Sequence, residues 1–341
     1  MKYAADNGAV ILQCSWGYHS SKSNLVMGYI PGPATEEEWA ATYPLEKEAL
    51  DYFIHNAGSP NGVIDGGLAI FASGNEYAAQ SSFPAAYSKC ISVAALAADY
   101  TPATYTNYGS EVALSAPGGD LEYYGTPGEA DEAYDEQGVL REQGAIFSTL
   151  VVNGVPGYGY YEGTSMACPH VSGVAALGLA YAKQLKRHFT WEEFRDLMVS
   201  TGEDIDSYFV GDKLIHWNHT SPGATPTKIA LGSYKGKMGR MVDAGALLKA
   251  IDGSGRDMRL PNIYIAPEST YTLELDDYFV EKPTFAEVGN TAVATATLQG
   301  STLTIKALSE GNTTLTITLE GGKSHTSNII VRRGANDNGI L

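Results

Sequence analysis

A serine between a glycine and an apolar run is the residue of this sequence best suited to nucleophilic chemistry. The segment reads Gly163-Thr-Ser-Met-Ala-Cys-Pro-His-Val171, and the apolar residues from Met166 to Ala182 predict a buried helix. Because glycine permits a sharp turn, we expect Ser165 at or near the N-terminus of that helix. Unpaired backbone N–H groups and the helix dipole favour negative charge there. An oxyanion formed by attack of Ser165 on a carbonyl would therefore be stabilised.

Asn75 is a second candidate, because a side-chain amide can donate a hydrogen bond to an oxyanion. It follows the apolar run 67–72, which predicts a buried strand. The apolar run 9–14 predicts another strand, which ends at Ser15. Parallel strands place their carboxyl ends at one edge of the sheet, where open α/β proteins bind ligands. We therefore expect Asn75 and Ser165 to face a common cleft at that edge.

The elements that must position these residues predict a parallel α/β fold. Further apolar runs at 90–96 and 111–115 predict strands, and amphipathic helical patterns lie between strands along the chain. A strand, helix, strand order gives a right-handed crossover and a parallel sheet. We expect helices on both faces of this sheet.

The serine segment resembles the serine motif of the subtilisin-like serine proteases, or subtilases. The segment Ala72-Ser-Gly-Asn-Glu76 resembles their oxyanion-asparagine motif. The resemblance implies a subtilisin-like fold and a serine endopeptidase that hydrolyses peptide bonds through an acyl-enzyme on Ser165. The backbone N–H of Ser165 and the side chain of Asn75 would form the oxyanion hole. The implied partner is a protein or peptide substrate, and the implied reaction uses no cofactor.

Two short segments resemble the walls of the subtilase peptide-binding cleft. One resembles the strand that pairs with an extended peptide, and it comprises Ser15, Trp16 and Gly17. The other would form the opposite wall of the pocket for the residue that precedes the scissile bond, and it comprises Ala72, Ser73 and Gly74. No acidic residue marks this pocket by motif, so the cleavage specificity stays open.

Two members of the catalytic triad have no match in the sequence. In subtilases the catalytic aspartate and histidine precede the substrate-binding strand, which here begins at Ala9. Neither an Asp-Thr/Ser-Gly motif nor a His-Gly-Thr-like motif occurs before Asn75, and His19 and His55 match neither. We therefore expect residues 1–251 to be the C-terminal portion of a catalytic domain. The aspartate and histidine are expected upstream, and this chain alone is expected to be inactive.

Four residues near the motifs are expected to be structural. His170 follows Ser165 on the same helix and cannot easily turn back onto its hydroxyl, so we predict a packed, hydrogen-bonded side chain. The chain has three cysteines, which cannot all pair. We predict buried free thiols at Cys14, Cys90 and Cys168.

Composition limits the partners and the location. The 341 residues include 22 Lys and Arg against 39 Asp and Glu, and the net charge of −17 argues against nucleic acid or an anionic membrane as partner. No apolar run is long enough for a transmembrane helix. Residues 1–8 lack the pattern of a signal peptide. The family resemblance nevertheless implies a secreted, cell-surface or periplasmic enzyme, and it leaves the oligomeric state open.

The acidic composition of one segment suggests calcium as a metal to consider. The segment 118–144 is rich in glycine and acidic residues, but its carboxylates lack the regular spacing of a known calcium loop. A solvated surface insertion is the alternative. We assign no metal site from the sequence.

The C-terminal part of the chain predicts a separate β domain. Glycine and charged residues at 252–261 indicate a linker. Alternating residues with glycine turns over 262–333 then predict the strands of a small sandwich. This segment resembles bacterial immunoglobulin-like domains, and 334–341 is a tail.

Two other functions fit parts of the pattern. An α/β-hydrolase would order its triad as Ser165, an acid at Asp204 or Asp212, and a base at His216 or His219. Against this alternative, alanine replaces the last glycine of the Gly-x-Ser-x-Gly elbow. The other alternative is a non-catalytic pseudoprotease or adhesion module that binds protein at the rim of the sheet.

Overall fold

The computed structural model describes residues 1–23, 28–58, 62–121, 144–215 and 227–333. The chain forms two compact units. The first comprises 1–57, 66–178 and 190–250, and the second comprises 58–65, 179–189 and 251–341.

The helices and strands of the described residues are as follows. The helices are α1 (Lys2–Asp6), α2 (Glu36–Thr42), α3 (Pro44–Asn56), α4 (Thr164–Gln184), α5 (Trp191–Thr201) and α6 (Ala244–Ile251). The strands are β1 (Ile11–Cys14), β2 (Ile64–Asp65), β3 (Leu68–Ala72), β4 (Ile91–Leu96), β5 (Val112–Pro117), β6 (Ile146–Val152), β7 (Val155–Tyr161), β8 (Arg187–Thr190), β9 (Asp212–Ile215), β10 (Thr227–Ala230), β11 (Arg240–Met241), β12 (Arg256–Asp257), β13 (Ile263–Ile265), β14 (Thr270–Glu274), β15 (Pro283–Val288), β16 (Ala294–Gln299), β17 (Thr302–Ala307), β18 (Gly311–Leu319) and β19 (Ser324–Val331). None of these helices is long and apolar enough to cross a membrane.

A five-stranded parallel sheet forms the centre of the first unit, in the order β1-β3-β4-β5-β11. Every residue of β3 and β4 is buried. Continuous apolar runs of this kind are typical of parallel strands that are covered on both faces. The predicted α/β fold with a parallel sheet is confirmed.

The connection from β1 to β3 runs through α2 and α3. Thr35 caps α2, since its hydroxyl accepts the backbone N–H of Glu38 at 3.2 Å. Pro44 is the first residue of α3, where its missing N–H is tolerated, and it separates α3 from α2. The residues that α3 buries are Leu50, Phe53 and Ile54.

A hairpin of β6 and β7 precedes α4 and was not predicted from the sequence. Asn153 and Gly154 join its strands with φ angles of 51° and 80°. An Asn-Gly pair between two apolar runs is the strongest short-range signal for such a turn. Phe147 and Tyr158 stack across the hairpin with ring centroids 5.6 Å apart, and both are more than half exposed.

Two sheets form most of the second unit. One has the order β13-β19-β18-β15 and the other has the order β14-β17-β16. The buried side chains alternate along the strands, as at Leu315 and Ile317 of β18 and at Leu303 and Ile305 of β17. The resemblance to an immunoglobulin-like domain stays a prediction.

The segment 252–261, predicted as a linker, is paired with the rest of the second unit. Arg256 of β12 lies opposite His188 of β8, and the Met258 N–H donates to the Lys186 carbonyl at 3.1 Å. Met258 and Leu260 are buried. This pairing with β8 lies within the second unit, which also contains 179–189. The predicted boundaries 1–251 and 262–333 stay a prediction.

A buried ion pair stabilises the first unit beyond the end of β5. The Lys213 ammonium lies 2.9 Å from the Asp120 carboxylate, and these side chains are 3% and 0% exposed. Lys213 also donates to the carbonyl of Pro102 at 2.7 Å, and Thr104 donates to Asp120 through its N–H and its hydroxyl. Each charge is thereby desolvated and depends on the other for compensation.

We predict that Lys213→Met lowers the free energy of unfolding by about 3 to 5 kcal/mol, because it leaves the Asp120 charge buried without its counter-ion. The double variant Asp120→Asn/Lys213→Met should recover most of the loss. Urea denaturation measures both, with Lys235→Met at an exposed position as the control. A double variant as unstable as the single variant would show that the loss comes from packing and not from charge.

Candidate active site

Ser165 is the second residue of α4, and the turn that precedes it is held from two sides. Gly163 has a φ of 142°, which side chains other than that of glycine rarely adopt. Its N–H donates to the Gly118 carbonyl at 2.9 Å and to the Tyr105 hydroxyl at 2.8 Å. Tyr105 in turn donates to the carbonyls at the end of β5. The start of α4 is therefore fixed to the carboxyl edge of the parallel sheet.

The hydroxyl of Ser165 lies beside the end of β1. It is 3.5 Å from the Ser15 carbonyl, at the limit of hydrogen-bond length, while the Ser15 hydroxyl donates to the Ser165 carbonyl at 2.7 Å. Gln13 donates to the Ser15 hydroxyl at 2.7 Å and so orients it. Within the described ranges, no histidine or carboxylate is hydrogen-bonded to the Ser165 hydroxyl. The contact that the structure gives the Ser165 hydroxyl is therefore with the backbone of Ser15.

Asn75 contacts the first residue of α4. Its Oδ1 accepts the backbone N–H of Thr164 at 2.9 Å and the Thr164 hydroxyl at 2.8 Å. Two donors at one end of the amide define that end as the oxygen, so the Nδ2 group faces away from Thr164. Asn75 Nδ2 and the backbone nitrogen of Ser165 each lie 3.6 Å from the position that a Cβ on Gly163 would take. Two N–H donors thus flank the same glycine.

A buried asparagine that sequence reasoning missed holds the loop that carries Asn75. Asn107 accepts the backbone N–H groups of Glu76 and Ala78, and its Nδ2 donates to the Ser73 carbonyl at 3.0 Å. A Cβ on Gly74 would lie 2.1 Å from Asn107 Nδ2, so only glycine fits there. No local pattern marks Asn107, because its partners are at least 29 residues away in sequence.

The segment after β1 is exposed, as a peptide-binding segment must be. Ser15, Trp16 and Gly17 are all exposed, and the Trp16 ring packs edge-on against Phe71 with centroids 5.4 Å apart. A Cβ on Gly17 would lie 3.0 Å from the Phe83 carbonyl, so the two backbones approach closely there.

The three residues predicted for the opposite wall differ in accessibility. Ala72 and Ser73 are buried, and the Ser73 hydroxyl donates to the Asn107 carbonyl at 3.2 Å. Gly74 is half-buried. Of this set, Gly74 is therefore the residue whose surface faces outward beside Asn75.

His170 is hydrogen-bonded as predicted but is not packed. Its Nδ1 lies 2.8 Å from the Met166 carbonyl, and its side chain is exposed. It lies on the side of α4 that faces hairpin β6–β7, where His170, Met166 and Phe147 line a cavity of about 340 Å³. The prediction of a packed side chain was wrong, because this face of the helix borders a cavity in the described structure.

The three cysteines are free and buried, as predicted. The Cys168 thiol lies 3.7 Å from the carbonyl of Cys14, the residue before Ser15. Burial raises the pKa of Cys14 and of Cys168 to about 11. Burial also raises the pKa of Cys90. Since the thiolate is the reactive form, none of the three competes with Ser165 as a nucleophile at neutral pH.

Several predicted features lie outside the described residues. These are 122–143 of the acidic segment, His216, His219 and the tail 334–341. Among the described residues no group of three or more His, Cys, Asp or Glu is placed to hold a metal ion. Asp120, the acidic residue at the start of that segment, is engaged by Lys213 and Thr104.

A serine at a helix start, with N–H donors beside it at the edge of a parallel sheet, can perform acyl transfer once a base is present. The subtilase family model matches residues 1–239, and the chain belongs to the subtilase family. The family predicted from the serine and asparagine motifs is confirmed. Membership also contradicts the α/β-hydrolase alternative.

Curated relatives match parts of the chain. Halolysin of Haloferax mediterranei is 40% identical over 114 residues, which are 33% of this chain and 17% of halolysin. A calcium-dependent protease of Nostoc is 28% identical over 236 residues, or 66% of this chain and 30% of the relative. An extracellular basic protease of Dichelobacter nodosus is 34% identical over 137 residues, which are 40% of this chain and 19% of the relative. The chain spans less than a third of the length of these relatives.

We predict that Thr164→Val lowers the free energy of unfolding by about 1 to 3 kcal/mol, because it removes a buried hydroxyl that donates to Asn75 Oδ1 and leaves the half-buried Gly74 N–H without its acceptor. Thr164→Ser keeps the hydroxyl and should cost less. Chemical denaturation compares the two variants. A loss in Thr164→Val no larger than that in Thr164→Ser would contradict a role for the hydroxyl.

Proposed function

We propose that the protein to which this chain belongs is a serine endopeptidase, with Ser165 as nucleophile. The observation that supports this most directly is the contact of Asn75 with Thr164. It holds the amide oxygen at 2.9 Å from the Thr164 nitrogen and leaves the Nδ2 group beside the start of α4. An N–H donor held in advance costs no reorganisation when charge develops on the substrate.

The proposed reaction proceeds through an acyl-enzyme. The Ser165 oxygen attacks the carbonyl carbon of the scissile peptide bond, and a base takes the hydroxyl proton. The negative charge on the carbonyl oxygen is stabilised by Asn75 Nδ2 and by the backbone N–H of Ser165, which has no intrahelical partner. The C–N bond then breaks, and the amine leaves with the proton from the base. Water hydrolyses the ester and returns the serine.

The substrate in this proposal is an extended segment of a protein or peptide. The exposed residues Ser15, Trp16 and Gly17 follow an edge strand of the parallel sheet in the described chain. An extended peptide can add to such a segment through backbone hydrogen bonds. Gly74 would border the residue that precedes the scissile bond, with Ala72 and Ser73 supporting it from below.

We propose that the base and its orienting acid are contributed by sequence upstream of Met1, in the order aspartate then histidine. The support is the 3.5 Å contact of the Ser165 hydroxyl with a carbonyl, which cannot accept its proton during attack. A serine hydroxyl without a base is a weak nucleophile at neutral pH. The chain alone is therefore inactive in this proposal, and a protein extended upstream is active.

Location and calcium follow from the relatives and stay proposals. The name of the Dichelobacter nodosus relative includes the word extracellular, which supports a secreted, cell-surface or periplasmic location. The name of the Nostoc relative includes calcium dependence. For this chain, calcium is a possible ion without an assigned site, and no residue of the proposed reaction is assigned to it.

The test compares this chain with the upstream-extended protein in fluorophosphonate labelling and casein cleavage. The extended protein should label and cleave, and Ser165→Ala should abolish both. Asn75→Ala should lower kcat by about 10²- to 10³-fold, with a smaller change in KM, because it removes a donor used mainly in the transition state. Asn56→Ala, at an exposed position on α3, is the matched control.

Two outcomes would contradict parts of the proposal. Rapid, Ser165-dependent labelling of the short chain would show that a base lies within it, and His216 and His219 would be the first residues to replace. An inert extended protein with an intact fold would favour the pseudoprotease or adhesion module. The exposed aromatic residues of hairpin β6–β7 would then be the candidate protein-binding surface.

A further inference from the structure

A polar cavity in the second unit has a lining that differs in charge from the chain as a whole. Its volume is about 360 Å³, and it lies between the segment that follows β12 and the start of β19. Its polar side chains are Arg256, Arg259, Lys323, Ser324, His325 and Thr326. The lining residues that the structure describes include no carboxylate. Basic side chains and hydroxyls therefore surround one cavity in a chain whose net charge is −17.

His325 is the aromatic ring among the described residues that line this cavity. Its ring packs against Phe279 with centroids 4.5 Å apart, and its Nε2 is buried without a hydrogen-bond partner among the described residues. The Nε2 atom itself has almost no accessible surface, so the ring would respond to an ion in the cavity through charge rather than through a hydrogen bond from Nε2.

The charges around His325 oppose its protonation in the free protein. Burial lowers the pKa of His325, and Lys323 and Arg259 lower it further. Glu281 acts in the opposite direction, and Arg256 adds another positive charge to the lining. An anion in the cavity would reverse this balance, because it would favour the protonated ring.

We propose that this cavity binds a tetrahedral oxyanion, phosphate or sulfate, either free or as an ester on a larger molecule. Guanidinium groups bind such oxyanions through paired N–H donors, and an ammonium adds a point charge. The hydroxyls of Ser324 and Thr326 supply further donors. The site belongs to the second unit and does not depend on the chemistry of Ser165.

The test uses sulfate as the probe, because sulfate keeps its charge over the range in which histidine titrates. Calorimetry on the chain should show binding that weakens by about threefold or more in Arg259→Gln and in Lys323→Gln. Both positions are exposed, so these substitutions leave the core intact. Lys306→Gln, an exposed lysine on β17, removes the same charge elsewhere in the unit and should leave the affinity unchanged.

NMR titration of the His325 ring at constant ionic strength, with chloride replaced by sulfate, gives a second readout that general screening would not reproduce. Its pKa should rise when sulfate is added, and the rise should be smaller in Arg259→Gln. Inorganic phosphate, a phosphate monoester and a sulfated polysaccharide then distinguish the sources. Tighter binding of the ester or polymer identifies a bound macromolecule, and equal binding of the inorganic ion identifies the free anion.

The proposal would be overturned by an unchanged His325 pKa at sulfate concentrations that saturate any measured binding. It would also be overturned if Lys306→Gln weakened binding as much as Arg259→Gln. Such a result would mean that sulfate responds to net charge and not to this cavity.

Discussion

The hydrogen bonds from Thr164 to Asn75 are the interaction on which the arrangement of the site depends. They join the loop after β3 to the first residue of α4, across 89 positions of sequence. Because both donors belong to one residue, they fix the position and the orientation of the amide together. The adjacent residue of the helix is Ser165. The nucleophile candidate and the donor candidate are thereby held by one contact rather than by two independent loops.

The contact in turn depends on how the backbone ends at the carboxyl edge of the sheet. Parallel strands that stop at one edge leave N–H and carbonyl groups that need partners. Two buried side chains supply them: Asn107 holds the loop of Asn75, and Tyr105 bridges Gly163 to the end of β5. Gly74 and Gly163 are required because one faces Asn107 closely and the other has a positive φ. These polar contacts fix the positions of Asn75 and Ser165, while the apolar strands form the sheet at whose edge both residues lie.

The sequence allowed prediction wherever the signal was local. Continuous apolar runs predicted β1, β3 and β4, and a short motif placed Ser165 at the start of a helix. The Asn-Gly turn of hairpin β6–β7 was equally local and was overlooked. Asn107, Tyr105 and the pair of Lys213 with Asp120 could not be predicted, because each acts on residues far away in sequence. The pairing of β12 with β8 could not be predicted for the same reason, since it is also a long-range contact.

In the proposed reaction, the side chain of Asn75 and the backbone N–H of Ser165 bind one oxyanion. A crystal structure of the upstream-extended protein with a peptidyl phosphonate on Ser165 tests it most directly. We expect the phosphonyl oxygen at about 2.7 to 3.1 Å from both Asn75 Nδ2 and the Ser165 nitrogen. An adduct whose oxygen contacts neither group, or whose formation leaves Asn75 turned away from it, would contradict the account.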